Sequence, residues 1–292
     1  MKKVLIIGID SFTGVHLASY LKKDNYDVYG TTLSKSTNKK YKCDITQKEN
    51  ISEVLNIVKP DYLIHLSGVS FAAHGNNEDF YKINTIGTIN ILETLLSLKQ
   101  KPKKIILASS ATVYGNQGLE VLDESLCPKP ANHYGASKYS MECLASGYFD
   151  KLSIIITRPF NYTGQGQAEH FLVPKIVKHF KEKKDFIELG NLDVIREFND
   201  IDFVCESYKK LLECKASEEI VNICSGRGIK LLDIIALLKK ITNHNIEIRV
   251  NQEFVRKDEI KSLTGSPFKL FNLIGEVKQF NFEETLLKML DK

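Results

Sequence analysis

The stretch "NHYGASK", residues 132–138, sets Tyr134 four residues before Lys138. Four residues is about one helical turn, so on a helix the two side chains are neighbours on one face. A phenol, with its ordinary pKa near about 10, is a poor base at neutral pH. An ammonium beside it favours the phenolate and brings the group closer to the range useful for acid–base work. Upstream, "SSATVYG" (109–115) closes an apolar run, and Ser110 there could hydrogen-bond the same substrate oxygen. Alone, Y-x-x-x-K is a weak pattern, served equally by a half-buried tyrosine and a solvated lysine. Its weight comes from the elements that must carry it.

Those elements alternate. "KVLIIG" (3–8), "DVYGTT" (27–32), "YLIHLSG" (62–68), "KKIILASS" (103–110) and "LSIIITRPFN" (152–161) read as buried strands, short, rich in β-branched residues and ended by turn residues. Helical stretches fall at 14–23, 47–58, about 78–98 and 135–149. Strands alternating with helices predict an α/β chain with a Rossmann-type doubly wound parallel sheet. Ligands bind such sheets beyond the carboxyl ends of the strands, where Ser110 falls. Past residue 162 the pattern loosens. "HFLVPKIVKHFKEKK" reads as helix, "DFIELG" as strand, "IDFVCESYKKLLE" as helix, "EEIVNICSG" as strand and "IKLLDIIALLKKI" as helix. The expected division is residues 1–162 for the dinucleotide and 163–292 for a smaller mixed α/β substrate lobe, with segments near 195–223 returning to the first unit.

Composition narrows the setting. The 292 residues carry a net charge of +4 with both signs interspersed, and "KEKK" (181–184) reads as a solvated helix end, not a nucleic-acid footprint. The six cysteines (43, 127, 143, 205, 214, 224) form no CxxC pair, which suggests a reducing, cytoplasmic setting. The apolar run after "MKK" is too short for a signal peptide, and no run approaches the roughly 20 apolar residues that span a bilayer. No His/Cys/Asp cluster has metal-ligand spacing, so no metal is expected. His65, inside a strand, reads as core, His170 after "GQGQAE" stays open as a general acid, and His74 carries no argument.

"GIDSFTG" (8–14) follows the first strand and opens the first helix. The N–H groups of such a turn, with the helix N-terminus, can hold a pyrophosphate. Gly8 and Gly14 fit the pattern, and the small Ser11 stands where a middle glycine is usual; a tight β–α turn without ligand fits the same residues. The second strand ends "YGTTLSK", with no Asp or Glu to hold a ribose diol, whereas Thr32, Ser34 and Lys35 offer donors and a positive charge for a 2′-phosphate. This points to NADP(H), with NAD(H) as the alternative. In "CDIT" (43–46), Asp44 could accept from an adenine amino group or cap the next helix.

Jointly, "GxxxFxG", "HLSG", "INTIGTINILE", "SSATVYG", "YGASK", "RPFN", "REFNDIDFV" and "NICSG" resemble, from end to end, the extended short-chain dehydrogenases/reductases of the NAD-dependent epimerase/dehydratase family. Within that family "RPFNYTGQGQ", "REFNDIDFV" and "VNICSGRG" are most similar to the GDP-4-keto-6-deoxymannose reductases. The resemblance implies a catalytic set of Ser110, Tyr134 and Lys138, with Lys138 also gripping the nicotinamide ribose. It implies that the backbone at Ser11 and Phe12 meets the pyrophosphate, that Asp44 and Ile45 flank the adenine, and that Leu66, Ser67, Gly68 and Asn84 line the cofactor groove. Asn161, Arg196 and Arg256 match positions that hold a sugar nucleotide's diphosphate; by themselves the two arginines read as surface ion-pairing residues. The departures are Ser11 for glycine and His133 for the usual proline.

Reaction type follows by the same matching. Dehydratases of the family place an acidic pair, or a glutamate, directly after the catalytic Ser or Thr. Here Ala111 and Thr112 offer no carboxylate and no proton relay. Reductases that also epimerise carry a cysteine where Thr112 stands. The expectation is therefore NADPH-dependent reduction of the 4-keto group of a nucleoside-diphosphate 4-keto-6-deoxyhexose, by a homodimer pairing through the helices at 78–98 and 135–149, as in relatives. The alternative is an NAD-dependent nucleotide-sugar 4-epimerase. A regulator without chemistry is disfavoured by the intact Ser–Tyr–Lys set.

Overall fold

A computed structural model describes residues 1–70, 76–255, 259–278 and 280–291; His74 and Arg256 lie outside the described residues. The first strands are β1 (Lys3–Ile7), β2 (Asp27–Thr32), β3 (Lys40–Lys42), β4 (Tyr62–His65), β5 (Lys104–Ala108) and β6 (Ile154–Pro159). Later strands are β7 (Tyr162–Thr163), β8 (Phe186–Leu189), β9 (Ile195–Glu197), β10 (Asn199–Asp200), β11 (Glu219–Ile223), β12 (Gly228–Lys230), β13 (Glu247–Val250) and β14 (Ser262–Leu263). Seven of them form one parallel sheet in the order β11-β6-β5-β4-β1-β2-β3. The order reverses between β1 and β4, which fixes the crevice beyond their carboxyl ends.

The central strands β1, β4 and β5 are mostly apolar because the sheet is covered on both faces. Val4, Ile6, Ile64, Ile106, Ile155 and Val221 share a buried core with Leu17 and Leu21 of α1 (Phe12–Lys23). The alternate residues Leu5, Ile7, Leu63, Ile105, Leu107, Ile154 and Ile156 pack on the other side against α2 (Lys48–Val58) and two further helical segments. One runs through α3 (Asn77–Asp79), a π-helix (Phe80–Gly87) and α4 (Thr88–Ser97); the other is α5 (His133–Ser146). The sequence pattern predicts a single helix over about 78–98. The π segment inserts wider turns there, a feature that recurs at functional sites.

The remaining helices are α6 (Leu172–Lys181), α7 (Ile201–Glu213), α8 (Leu231–Thr242), α9 (Phe268–Ile274) and α10 (Phe282–Leu290). Phe203, Val204, Tyr208 and Leu211 of α7 join the α1 core, as does Leu270 of α9. Helices α6, α8 and α10 share a separate core of Val173, Ile176, Phe180, Ile234, Leu238 and Leu286. Beside it lie a β12-β9-β14 sheet and the pairs β13-β8 and β10-β7. Of the segment near 195–223, α7 and β11 pack with the large sheet, while β9 belongs to the three-stranded one. No helix among the described residues is long and apolar enough to cross a membrane.

Candidate active site

The turn after β1 is built by its small residues. Gly8 has φ +87°, a left-handed conformation, and a Cβ there would stand 2.6 Å from Ser67 Oγ, so the turns after β1 and β4 touch. Ser11 is the N-cap of α1, its Oγ accepting from the Gly14 amide at 3.1 Å. A Cβ on Gly14 would lie 2.4 Å from the Gly8 carbonyl, so glycine lets the helix start hard against β1. The amides of Phe12 and Thr13, in the first turn, have no carbonyl inside the helix and suit a pyrophosphate. Phe12 stacks on Tyr162 at 6.1 Å between ring centres, and the Thr13 and Tyr162 hydroxyls bond at 2.7 Å, tying this turn to the chain after β6.

The strand-end loops place the other expected cofactor residues. Thr32 is buried and accepts from the Ser34 amide at 3.1 Å, while Ser34 and Lys35 are exposed. Asp44 accepts from the Thr46 amide and hydroxyl at 2.9 and 2.8 Å, closing its own turn. The N-cap of α2 is Gln47, so the helix-capping alternative for Asp44 does not hold. Ile45 is buried below Gly87, and its carbonyl accepts from Asn90 at 3.1 Å. Leu66 and Ser67 are partly buried and Gly68 exposed. Asp10 and Lys40, which no sequence pattern singled out, meet at 2.7 Å beside Thr32.

Asn132 starts α5 by accepting from the Gly135 amide at 2.9 Å, which sets Tyr134 in the first turn and Lys138 one turn on. His133, the departure from proline, bonds the Tyr81 hydroxyl at 3.0 Å. Ser110 lies near enough to Tyr134 to act against the rise that burial imposes on its phenol. Ser110 Oγ accepts from the Thr112 amide at 3.2 Å and the Thr112 hydroxyl at 2.9 Å. Thr112 thus donates to Ser110 through both its amide and its hydroxyl.

Electrostatics at the pair differ from expectation. Burial pushes the Tyr134 phenol up to about 12, with Ser110 pulling the other way, and Lys138 contributes no lowering. Lys138 Nζ donates to the Ala108 carbonyl at 2.8 Å. Burial pulls that ammonium down to about 8, with Glu142 acting against the fall. A Cβ on Gly68 would stand 3.2 Å from Lys138 Nζ and 2.7 Å from Asn84 Oδ1, so the turn after β4, the π-helix and α5 converge here. Asn84 is fully buried; it donates to the Val69 carbonyl and Ser137 Oγ, each at 3.1 Å, and accepts from the Val69 amide at 2.9 Å. His65 is core, as expected. The Thr88 proton goes to the Asn84 carbonyl at 2.7 Å, so His65 Nε2 donates to Thr88 at 3.0 Å, and burial holds the imidazole neutral with a pKa near about 3.

Behind Lys138 lies a network that no sequence motif singled out. Glu142, one turn further along α5, is buried and accepts from the Ser109 hydroxyl and from Arg158. The Arg158 guanidinium sits 4.8 Å from the Tyr114 ring centre, and the Tyr114 hydroxyl donates to Asn222 at 2.7 Å. On a helix an isolated glutamate reads as a solvated face, so only the fold reveals it. In the smaller lobe, Arg196 is not a surface residue: its side chain is 12% exposed, pairs with Glu259 at 2.5 Å and donates to the Ile195 carbonyl at 2.8 Å. The next residue, Glu197, is fully buried and accepts from the amides of Ser225, Gly226 and Gly265, pinning two loops to β9. The Asn161 carbonyl accepts from the Asn199 amide at 2.9 Å, and His170 is exposed with its ring against Phe171.

Sheet order, glycine turn and the Ser–Tyr–Lys set together define a dinucleotide-dependent oxidoreductase fold. The sequence model of the NAD dependent epimerase/dehydratase family matches residues 4–224, and the chain belongs to that family. It is similar to the GDP-6-deoxy-D-talose 4-dehydrogenase of Aggregatibacter actinomycetemcomitans, 37% identical with 99% of this chain and 97% of that one covered. The GDP-6-deoxy-D-mannose reductase of Pseudomonas aeruginosa is 26% identical, with 99% and 96% covered. The solved structure of RMD from Pseudomonas aeruginosa complexed with NADPH superposes with a TM-score of 0.87 at 25% identity, covering 99% of this chain and 97% of that one.

Proposed function

We propose that the chain reduces the 4-keto group of a nucleoside-diphosphate 4-keto-6-deoxyhexose with NADPH. The observation that carries this reading is that Ser110, after β5, and Tyr134 and Lys138, one turn apart on α5, form one set in which burial pushes the phenol up. Carbonyl reduction needs an acid at the developing alkoxide, and a protonated phenol is one. Two similar enzymes are named for oxidoreduction of GDP-6-deoxyhexoses, which supports the substrate class.

The residues fit a nicotinamide dinucleotide. Gly8, Ser11, Phe12 and Gly14 would hold its pyrophosphate, Asp44 and Ile45 its adenine, and Leu66, Ser67, Gly68 and Asn84 the groove between, with Thr32, Ser34 and Lys35 at a 2′-phosphate. When bound, the reduced nicotinamide supplies the hydride. Lys138, held by the Ala108 carbonyl, would grip the nicotinamide ribose. Tyr134 gives its proton to the C4 oxygen, and Ser110, its oxygen filled by Thr112, steadies the charge on that atom. Asn161, Arg196 and Arg256 would take the diphosphate, in a lobe formed mainly by residues 163–292. Two copies would pair through the helices at 78–98 and 135–149, where Ile86 and Leu144 stand 51% and 49% exposed.

The test is to mix the chain with NADPH and GDP-4-keto-6-deoxymannose. Loss of NADPH absorbance with a GDP-6-deoxyhexose product is expected. Formation of a 4-keto sugar from an intact GDP- or dTDP-hexose, or 4-epimerisation on tightly held NAD, would overturn it.

A further inference from the structure

The missing acid at the end of β2 is supplied from elsewhere. Asp10, two residues after Gly8, lies beside that strand end, where Lys40 and the Thr32 hydroxyl hold its carboxyl below the ordinary carboxylate range. It can do so because β2 carries Gly30, where a Cβ would collide with the Ile9 side chain at 2.4 Å; glycine lets the turn lie against the strand. The carboxylate is not alone. Lys40, the first residue of β3 and the register partner of Gly30, extends its ammonium to Asp10 Oδ1 at 2.7 Å. Both side chains remain accessible, 48% exposed for Asp10 and 43% for Lys40. The neighbouring Lys39 is committed to Asp27 at 2.5 Å, so Lys40 is the cation that faces this carboxylate.

A carboxylate at the carboxyl end of β2 accepts from a ribose 2′,3′-diol and repels a 2′-phosphate, whereas a nearby cation accommodates the phosphate. Here both stand in contact. We propose that the Asp10–Lys40 pair decides which dinucleotide the chain accepts: Lys40 swings from Asp10 to a 2′-phosphate, and without Lys40 the bare Asp10 selects the diol. This rests on the dinucleotide reading of the glycine turn. It also assigns two residues with opposing effects to one specificity, beyond the donors Thr32, Ser34 and Lys35.

The test is direct binding, by fluorescence titration of NADPH and NADH without sugar nucleotide. Lys40→Met should weaken NADPH by about tenfold or more, as expected for loss of a charge-assisted phosphate contact, and leave NADH unchanged or tighter. Asp10→Asn should do the reverse, tightening NADPH and weakening NADH. The double variant should fall between the two in its NADPH/NADH ratio, because the pair is coupled. Both residues are on the surface, so circular dichroism should be unaltered. If both single variants bind the two nucleotides with the wild-type ratio, the assignment is overturned while the dinucleotide reading stands. If the wild-type chain binds neither nucleotide, both readings fall.

Discussion

Glu142 and Arg158 meet as a two-point ion pair inside the molecule, Nη2 to Oε2 at 2.6 Å and Nε to Oε1 at 3.0 Å, with neither side chain more than 3% exposed. The pair joins α5 to β6 directly behind Lys138. Removing one partner leaves the other charge buried without compensation, which typically costs about 3–5 kcal/mol. Arg158→Met should therefore lower unfolding stability by roughly that amount in a urea titration. A loss below about 1 kcal/mol would mean that water reaches the orphaned carboxylate.

The same carboxylate reports on Lys138. Its ammonium titrates near about 8 because burial disfavours the charge, and Glu142 holds it up. Reduction should be level on the acid side and fall as pH rises through about 8, where Lys138 loses its proton, while Tyr134 stays protonated throughout. In Glu142→Gln the alkaline limb should move to lower pH. An unmoved limb in a folded variant would detach Glu142 from Lys138.

Tyr134→Phe removes only the phenolic proton. Turnover should fall about 10²–10⁴-fold, the usual span for a general acid, with NADPH binding nearly unchanged. Near wild-type kcat would mean that another group donates.

Thr112→Val keeps the shape and deletes the hydroxyl that fills Ser110 Oγ. With the Thr112 amide still donating, the loss should be that of one neutral hydrogen bond, about 2–10-fold in kcat. No change in kcat would make that hydroxyl contact incidental.

Arg196→Ala should raise KM for the sugar nucleotide about 10–100-fold and leave NADPH binding intact. If Glu259 is the only anion Arg196 serves, KM will not move and the variant will lose stability instead.

What the sequence disclosed depended on element length and on sidedness. "VLII" and "III" are unbroken apolar runs of the kind a covered strand carries, and "IDFVCESYKKLLE" matches the bounds of α7. The strand "IRE" of β9 and the two-residue strands β7, β10 and β14 are too short for any period to emerge. The π turns at 80–87 hide inside a helical pattern. At the site, Tyr134, Lys138 and Ser110 were legible as a spacing. Their electrostatics were not, because the burial that pushes the Tyr134 phenol up and pulls the Lys138 ammonium down comes from the fold. Asp10 was not legible as a neighbour of the β2 end, because it comes from the turn before α1 and meets Lys40 only in the fold.

The outermost place of β11 bears on how the protein is made. Its five residues, Glu219–Ile223, are the pairing partner of β6, yet the chain builds the whole of β7–β10 and two helices before reaching them. Until then a nascent chain presents Ile154, Ile155 and Ile156 on an open edge, a segment of high β-propensity without charge. A fragment ending at residue 162 would keep that edge permanently and should self-associate. Anyone preparing the seven-stranded sheet alone will need to carry the chain past Ile223.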